Sequence, residues 1–199
     1  LFPSLGASLA EIEAADAILV IGSNLRREVP ILAHRVRKAA VRGAAVMFIN
    51  PVRHEYLHPV AAYLETGADL VRGLRRCTTA GDAEAAAIAA RLKAATSAGK
   101  RAVILLGQIA GRHPRFADLR QLAGELAHVS GAELGYLSEG ANSAGLALAG
   151  VLPHRVAGGT AGAGGGRNIA QMIEQPPRAL VLLGCEPDRD CSDGEGAVR

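Results

Sequence analysis

The chain has 199 residues with 22 Lys and Arg against 19 Asp and Glu, a net charge of +3, and no basic run interleaved with aromatics; this excludes the usual footprint of a nucleic-acid binder. Hydrophobic residues make up 49% and aromatics only 3%, so the core is aliphatic, of the kind that packs helices onto a buried parallel sheet. No apolar run approaches the roughly 20 residues of a membrane span, and Cys77, Cys185 and Cys191 are too few for a disulfide framework or for a four-cysteine iron–sulfur cluster.

The chain opens on Leu1-Phe2-Pro3, with no initiator Met and none of the basic and apolar regions of a signal peptide, and it stops soon after an apolar run. It therefore reads as a soluble segment of a longer protein. Glu11–Asp16 leads into Ala17–Ile21, a continuous apolar run of strand length. Gly22-Ser23-Asn24 follows as a turn. Glu28–Arg42 reads as a helix with Val29, Leu32, Ala33, Val36 and Ala40 on one face, Pro30 in its first turn and Gly43 at its end. Ala44–Ile49 is a second strand, which completes a β-α-β unit of right-handed crossover.

Asn50-Pro51 closes that strand, and residues 52–65 read as irregular or briefly helical. Thr66-Gly67-Ala68-Asp69 turns into a helix over Leu70–Arg76, and Ala83–Ser97 is an Ala-rich helix. Val103–Leu106 is a third strand ending at Gly107, and Phe116–Val129 is a helix with Leu119, Leu122, Ala123 and Leu126 inward. Glu139–Leu148 reads as a loop and a small-residue helix, and Ala157–Gly166 as a flexible Gly-rich loop. Asn168–Glu174 is a short helix and Ala179–Leu183 a fourth strand. Strands alternating with helices predict an α/β fold with a Rossmann-like, doubly wound parallel sheet.

Ala17–Leu25 lines up with Ala179–Pro187 at an offset of 162, both being strand-then-Gly turns, and Val103–Gly107 is a weaker third copy. One reading is that any βα unit looks like this. The other is two lobes, 1–80 and 81–199, each presenting a Gly turn where open α/β sheets bind ligands.

The motifs narrow the chemistry. Gly22-Ser23-Asn24 could admit a phosphate to the backbone at a helix start, but it is not G-x-G-x-x-G, and Asn50 stands where a ribose-binding acid would stand in a dinucleotide site. His54-Glu55-Tyr56-Leu57-His58 matches H-E-x-x-H, yet Pro51 and Pro59 bracket it and the third ligand is missing, with Glu84 only a distant candidate. Ser143 lacks the G-x-S-x-G elbow, and Gly158–Gly166 lacks the Lys-Ser/Thr ending of a P-loop. Arg26, Arg27, Arg35, Arg37 and Lys38 read as a solvated helix face, with Arg26 and Arg27 within reach of a phosphate.

Ala15–Asn24 resembles the first nucleotide-binding strand and turn of the molybdopterin oxidoreductases. Asn50-Pro51-Val52-Arg53 sits where that family often has Asp-Pro-Arg, Thr66–Leu70 resembles its Pro-Gly-Thr-Asp turn, and Leu183–Pro187 resembles its second turn, usually Gly-x-Asn-Pro. Within that superfamily, Glu139–Gly145 followed by Val151–Arg155 is similar to the large (G-type) iron–sulfur subunit of NADH:quinone oxidoreductase, respiratory complex I. The resemblance covers most of the chain. It implies a pterin-nucleotide site, working or vestigial, at Gly22, Ser23, Asn24, Asn50, Asp69 and Gly184. Asn50 in place of Asp, and Glu186 near a pyrophosphate position, weaken that site and favour the complex I branch, in which the fold is kept and the pterin is lost.

On that branch the segment is a scaffold with no catalytic residue, metal or cofactor of its own. It belongs to an enzyme that passes electrons from NADH to quinone and translocates protons. The iron–sulfur clusters lie elsewhere in the same subunit, its partners are the other subunits of the peripheral arm, and its place is the cytoplasmic face of the inner membrane. The alternative is the molybdopterin-guanine-dinucleotide-binding domain of an active Mo or W oxidoreductase such as a formate dehydrogenase. A free-standing nucleotide-binding module is a third reading, and the zinc protease comes last.

Overall fold

A computed structural model describes residues 4–79, 81–162, 166–191 and 193–197. Ala17–Ile21 forms β1, with all five residues buried. It lies at the centre of a five-stranded sheet with β2 (Ala45–Asn50), β3 (Ala62–Glu65), β4 (Ala102–Leu106) and β5 (Glu133–Tyr136), in the order β3-β2-β1-β4-β5. Every pairing is parallel, with Ala17 opposite Ala45 on one side and Ala102 on the other. Both neighbours of β1 use its backbone, and both faces are covered, which is why the run is apolar without alternation.

The pleat sends odd-numbered residues of β1 to one face and even-numbered residues to the other. Leu19 and Ile21, with Met47, Ile49, Ile104 and Leu106, pack against α4 (Leu70–Arg75), α5 (Ala83–Ser97) and α7 (Phe116–Ser130). Ile18 and Val20, with Val46, Phe48, Val103 and Leu105, pack against α1 (Leu9–Ala14), α2 (Leu25–Glu28) and α3 (Pro30–Val41). The sheet is doubly wound. The strand order reverses between β1 and β4, and that switch point is where such sheets open a ligand crevice at the carboxyl ends of their strands. A one-turn helix, α6 (Gln108–Gly111), follows β4 there.

Several expectations are corrected. The helix expected over Glu28–Arg42 begins only at Pro30, because Val29 precedes a proline and is driven out of the helical region, to φ −143° and ψ 71°; Glu28 instead ends a separate short helix, Leu25–Glu28. Residues 52–65, read as irregular, end in β3, and β5 was not anticipated. Both are four-residue edge strands, and Gly135 interrupts the apolar pattern of the second. The sheet runs through the expected boundary at 80/81, and the chain instead divides into compact units at Ser143/Ala144.

The second unit holds α8 (Ser143–Leu148, beginning at the boundary), α9 (Ile169–Glu174), α10 (Pro187–Asp190) and α11 (Gly194–Ala197). Its described residues form isolated bridges at Leu152–Arg155 and Arg155–Ala161 but no strand. The fourth strand expected at Ala179–Leu183 is therefore absent. Among the described residues no strand pairs with it, and Val181 and Leu183 are 92% and 95% exposed. The Gly-rich tract at 157–166 is described only in part, since residues 163–165 lie outside the described residues. No helix among the described residues is long and apolar enough to cross a membrane.

Candidate functional site at the sheet switch point

The turn leaving β1 and the turn leaving β4 touch backbone to backbone. Gly22 has φ +61°, and a Cβ there would stand 2.7 Å from Ala110. Any side chain on Gly107 would run into the Gly22 carbonyl and Ser23. The glycines thus let two crossover turns approach each other. Hydrogen bonds from Gly107 N to Ile21 O (2.8 Å) and Ala110 N to Gly22 O (3.0 Å) hold the pair, and Gly22 N donates to Ile49 O of β2 (2.8 Å).

Asn50, at the end of β2, is fully buried beneath this turn. Its Oδ1 accepts from Ser23 N at 2.8 Å, and its Nδ2 donates to Ser23 O at 3.0 Å and to the Tyr63 hydroxyl at 2.9 Å. The Tyr63 hydroxyl donates to Val52 O and accepts from His54 N, both at 2.9 Å. One amide therefore ties the end of β2 to the turn after β1 and to the Tyr63 side chain of β3. An Asp could accept from Ser23 N but could not donate to Ser23 O, which explains Asn here: a buried amide is retained where both its donor and its acceptor are matched.

Glu28, the last residue of α2, closes the crevice from above. Its Oε1 accepts from Asn24 N at 2.8 Å, and its Oε2 accepts from the Ser23 hydroxyl at 2.6 Å and from Gln108 N at 3.0 Å. Donors from both sides of the switch point meet on one carboxylate.

Beside the crevice lies a groove of about 160 Å³ with Leu25 and Tyr56 in its wall and Arg26, His34 and Arg37 among its lining residues. Tyr56 stacks on Phe48 at 4.3 Å and 10°, and burial raises its hydroxyl pKa well above the ordinary tyrosine value. Arg53 lies over the Tyr63 ring at 4.5 Å. In a chain so poor in aromatics, three of them gather at this end of the sheet.

A family model described as molybdopterin oxidoreductase matches residues 3–194. The chain belongs to the molybdopterin oxidoreductase family. A stretch of 46 residues is 44% identical to the F420-dependent formate dehydrogenase subunit alpha of Methanocaldococcus jannaschii, spanning 23% of this chain and 7% of that subunit. A solved chain of the formyltransferase/hydrolase complex of Methylorubrum extorquens, in complex with methylofuran, is 18% identical over 78% of this chain and 46% of its own length, with a TM-score of 0.48.

Among the residues that the family resemblance singled out, Gly22, Ser23, Asn24 and Asn50 come together at the switch point. Asp69 follows β3 on the same edge of the sheet, but its carboxylate caps α4, accepting from Arg72 N at 2.8 Å. Gly184 belongs to the second unit, where it has φ +61° in a turn that follows no strand. Glu186 in that unit pairs with Arg189 at 3.1 Å.

Residues 51–60 contain no helix, so His54 and His58 do not share a helical face. His58 Nδ1 lies 2.9 Å from Pro59 O, and no group of three metal-ligating side chains occurs among the described residues. Ser143 Oγ donates to Gly140 O at 3.2 Å and sits on no strand-to-helix elbow. On the basic face, Arg35 and Lys38 pair with Glu13, and Arg26 donates to Glu55 O. Cys77 is buried, and desolvation pushes its thiol up to about 12, so it stays protonated and unreactive at neutral pH.

Sequence reasoning missed Glu28, Tyr63 and Gln108. Two of them left a signal. Glu28 is an acid in the first turn after a Gly turn, where an anion site would reject it, and Gln108 directly follows Gly107 in the weaker echo of the β1 turn.

Proposed function

We propose that this domain is the nucleotide-binding fold of a molybdopterin-dependent Mo or W oxidoreductase of formate-dehydrogenase type. The observation that carries the reading is the convergence of the Asn24 and Gln108 amides and the Ser23 hydroxyl at the switch point. This is a donor set of the kind that holds a diphosphate. The donor types fit that group once the Glu28 carboxylate leaves. Gly22, Ser23, Asn24 and Gln108 would then line the diphosphate, and the largely apolar groove beside them, with Leu25 and Tyr56 in its wall, suits the attached nucleoside. When bound, the pterin supplies a metal centre that exchanges electrons with substrate. This chain's residues contribute binding and orientation only. The stretch shared with the formate dehydrogenase subunit supports the same reading, although it spans a small part of that subunit.

A second reading is a specific consequence of the same geometry. With Glu28 seated and Asn50 bonded inward, every one of these donors already has a protein partner. That is the state expected of a domain kept as scaffold after losing its pterin, as in the large iron–sulfur subunit of NADH:quinone oxidoreductase. Elemental analysis of the purified full-length protein separates the two. Mo or W near one per chain is the expected result, and iron without either metal would replace the first reading with the second.

A further inference from the structure

The groove of about 160 Å³ is lined from α2, α3 and residues 56–58, and its apolar walls are Leu25, Ala33, Tyr56 and Leu57. An apolar space of roughly 150 Å³ is enough for one benzene ring. Phe48, stacked on Tyr56 at 4.3 Å, holds that wall in place. The charge around the groove has one sign: Arg26 and Arg37 line it, and no Asp or Glu does. On α3, Arg35 and Lys38 are neutralised by Glu13, whereas the Arg37 and His34 side chains have no hydrogen bond or ion pair among the described residues. The Tyr56 hydroxyl is a separate observation. It is buried without a hydrogen-bond partner, and buried polar atoms are nearly always paired. Burial raises its pKa, so it keeps its proton at neutral pH and has a hydrogen to donate.

We propose that this groove binds a small aromatic carboxylate. The ring takes the place of water against Leu25, Ala33, Tyr56 and Leu57. The carboxylate pairs with the exposed Arg37 guanidinium at the mouth and gives the Tyr56 hydroxyl the acceptor it lacks. The inference goes beyond the nucleotide reading. The groove is open with Glu28 seated, so a ring acid enters while the crevice is closed. A pterin nucleotide whose nucleoside lay in the same groove would exclude it.

The test is calorimetric titration of benzoate, benzyl alcohol and acetate into the full-length protein made in a host that cannot synthesise the pterin. Benzyl alcohol keeps the ring without the charge, and acetate keeps the charge without the ring. Benzoate is expected to bind about tenfold or more tightly than either. Arg37→Gln, on the exposed face of α3, and Tyr56→Phe, which keeps the ring against Phe48, should each weaken benzoate about tenfold and leave benzyl alcohol unchanged. No binding of benzoate at millimolar concentration overturns the proposal. So does equal binding of benzyl alcohol, which would make the groove merely apolar, or of acetate, which would make it an adventitious ion site only. Unchanged benzoate affinity in either variant also overturns it. Each of these failures leaves the nucleotide reading standing, because that reading is decided by Mo or W and by the nucleotide that the natively produced protein carries.

Discussion

Ala17–Ile21 and Ala179–Leu183 are nearly the same apolar word, and the protein treats them in opposite ways. The first is β1, buried on both faces and hydrogen-bonded on both edges. The second pairs with nothing among the described residues, and Leu180 and Leu182 remain about half exposed, at 55% and 49%. Apolar character makes a segment willing to be a strand. Neighbours that satisfy its backbone and cover its faces decide whether it becomes one. The first unit supplies β2, β4 and two helical layers; the described part of the second supplies short helices with few buried residues.

The largest effect that would break this contrast comes from truncating one residue in each segment. Leu19→Ala removes a fully buried side chain between two sheet neighbours and should cost about 2–5 kcal/mol in denaturant melts of the 199-residue chain. Leu183→Ala, at a position 95% exposed, should stay within about 0.5 kcal/mol of wild type. Comparable losses at both positions would mean that the second segment is packed after all.

Next comes the pair of asparagines. Asn50 is fully buried, and Asn50→Ala strands Ser23 N and Ser23 O in the core, at a cost of about 2–3 kcal/mol or more. Asn50→Asp should also destabilise, since it turns the donor facing Ser23 O into an acceptor. Asn168 closes a capping box on α9, a helix without buried residues, so Asn168→Ala should fray that helix and leave the main unfolding transition in place. Ser8 makes the same capping box on α1, which buries Ile12. There Ser8→Ala should lower global stability by about 1 kcal/mol, read as a shift in the melt.

The smallest effect is one that acid removes. Hydrogen bonds from Lys38 and then Arg35 hold the Glu13 carboxyl at about 2, against an ordinary value of 4.5. A depressed folded-state pKa contributes stability that is fully present above 4.5 and lost as pH falls toward 2. Melting curves of wild type and Glu13→Gln should therefore differ near neutrality and converge across that window. In the second unit, Glu186→Gln should change little at any pH, because its pair with Arg189 is 66–75% exposed.

The comparison also shows what could be read from sequence. The long runs and long helices were legible because their periodicity is strong: β1, β2 and β4, and α5 over the whole of Ala83–Ser97, stand where the pattern puts them. The edge strands β3 and β5 were not legible, because a strand covered on fewer sides needs fewer apolar residues and Tyr63-Leu64 is the whole buried part of β3. Ala179–Leu183 misled because periodicity reports apolar content and not available partners. At the site, the Gly turn and Asn50 were legible as positions. Their roles were not, because the hydrogen bond from Gln108 N to the Glu28 carboxylate spans 80 residues and only the sheet order brings them together.

The central claim is that the β1/β4 crevice receives the nucleotide of a pterin cofactor. Its most direct test is to denature the natively purified full-length protein and identify by chromatography the nucleotide it releases. The account predicts a guanosine nucleotide in near-stoichiometric amount with Mo or W. An iron-containing protein that releases no nucleotide would contradict it and leave Glu28 as the permanent occupant of the crevice.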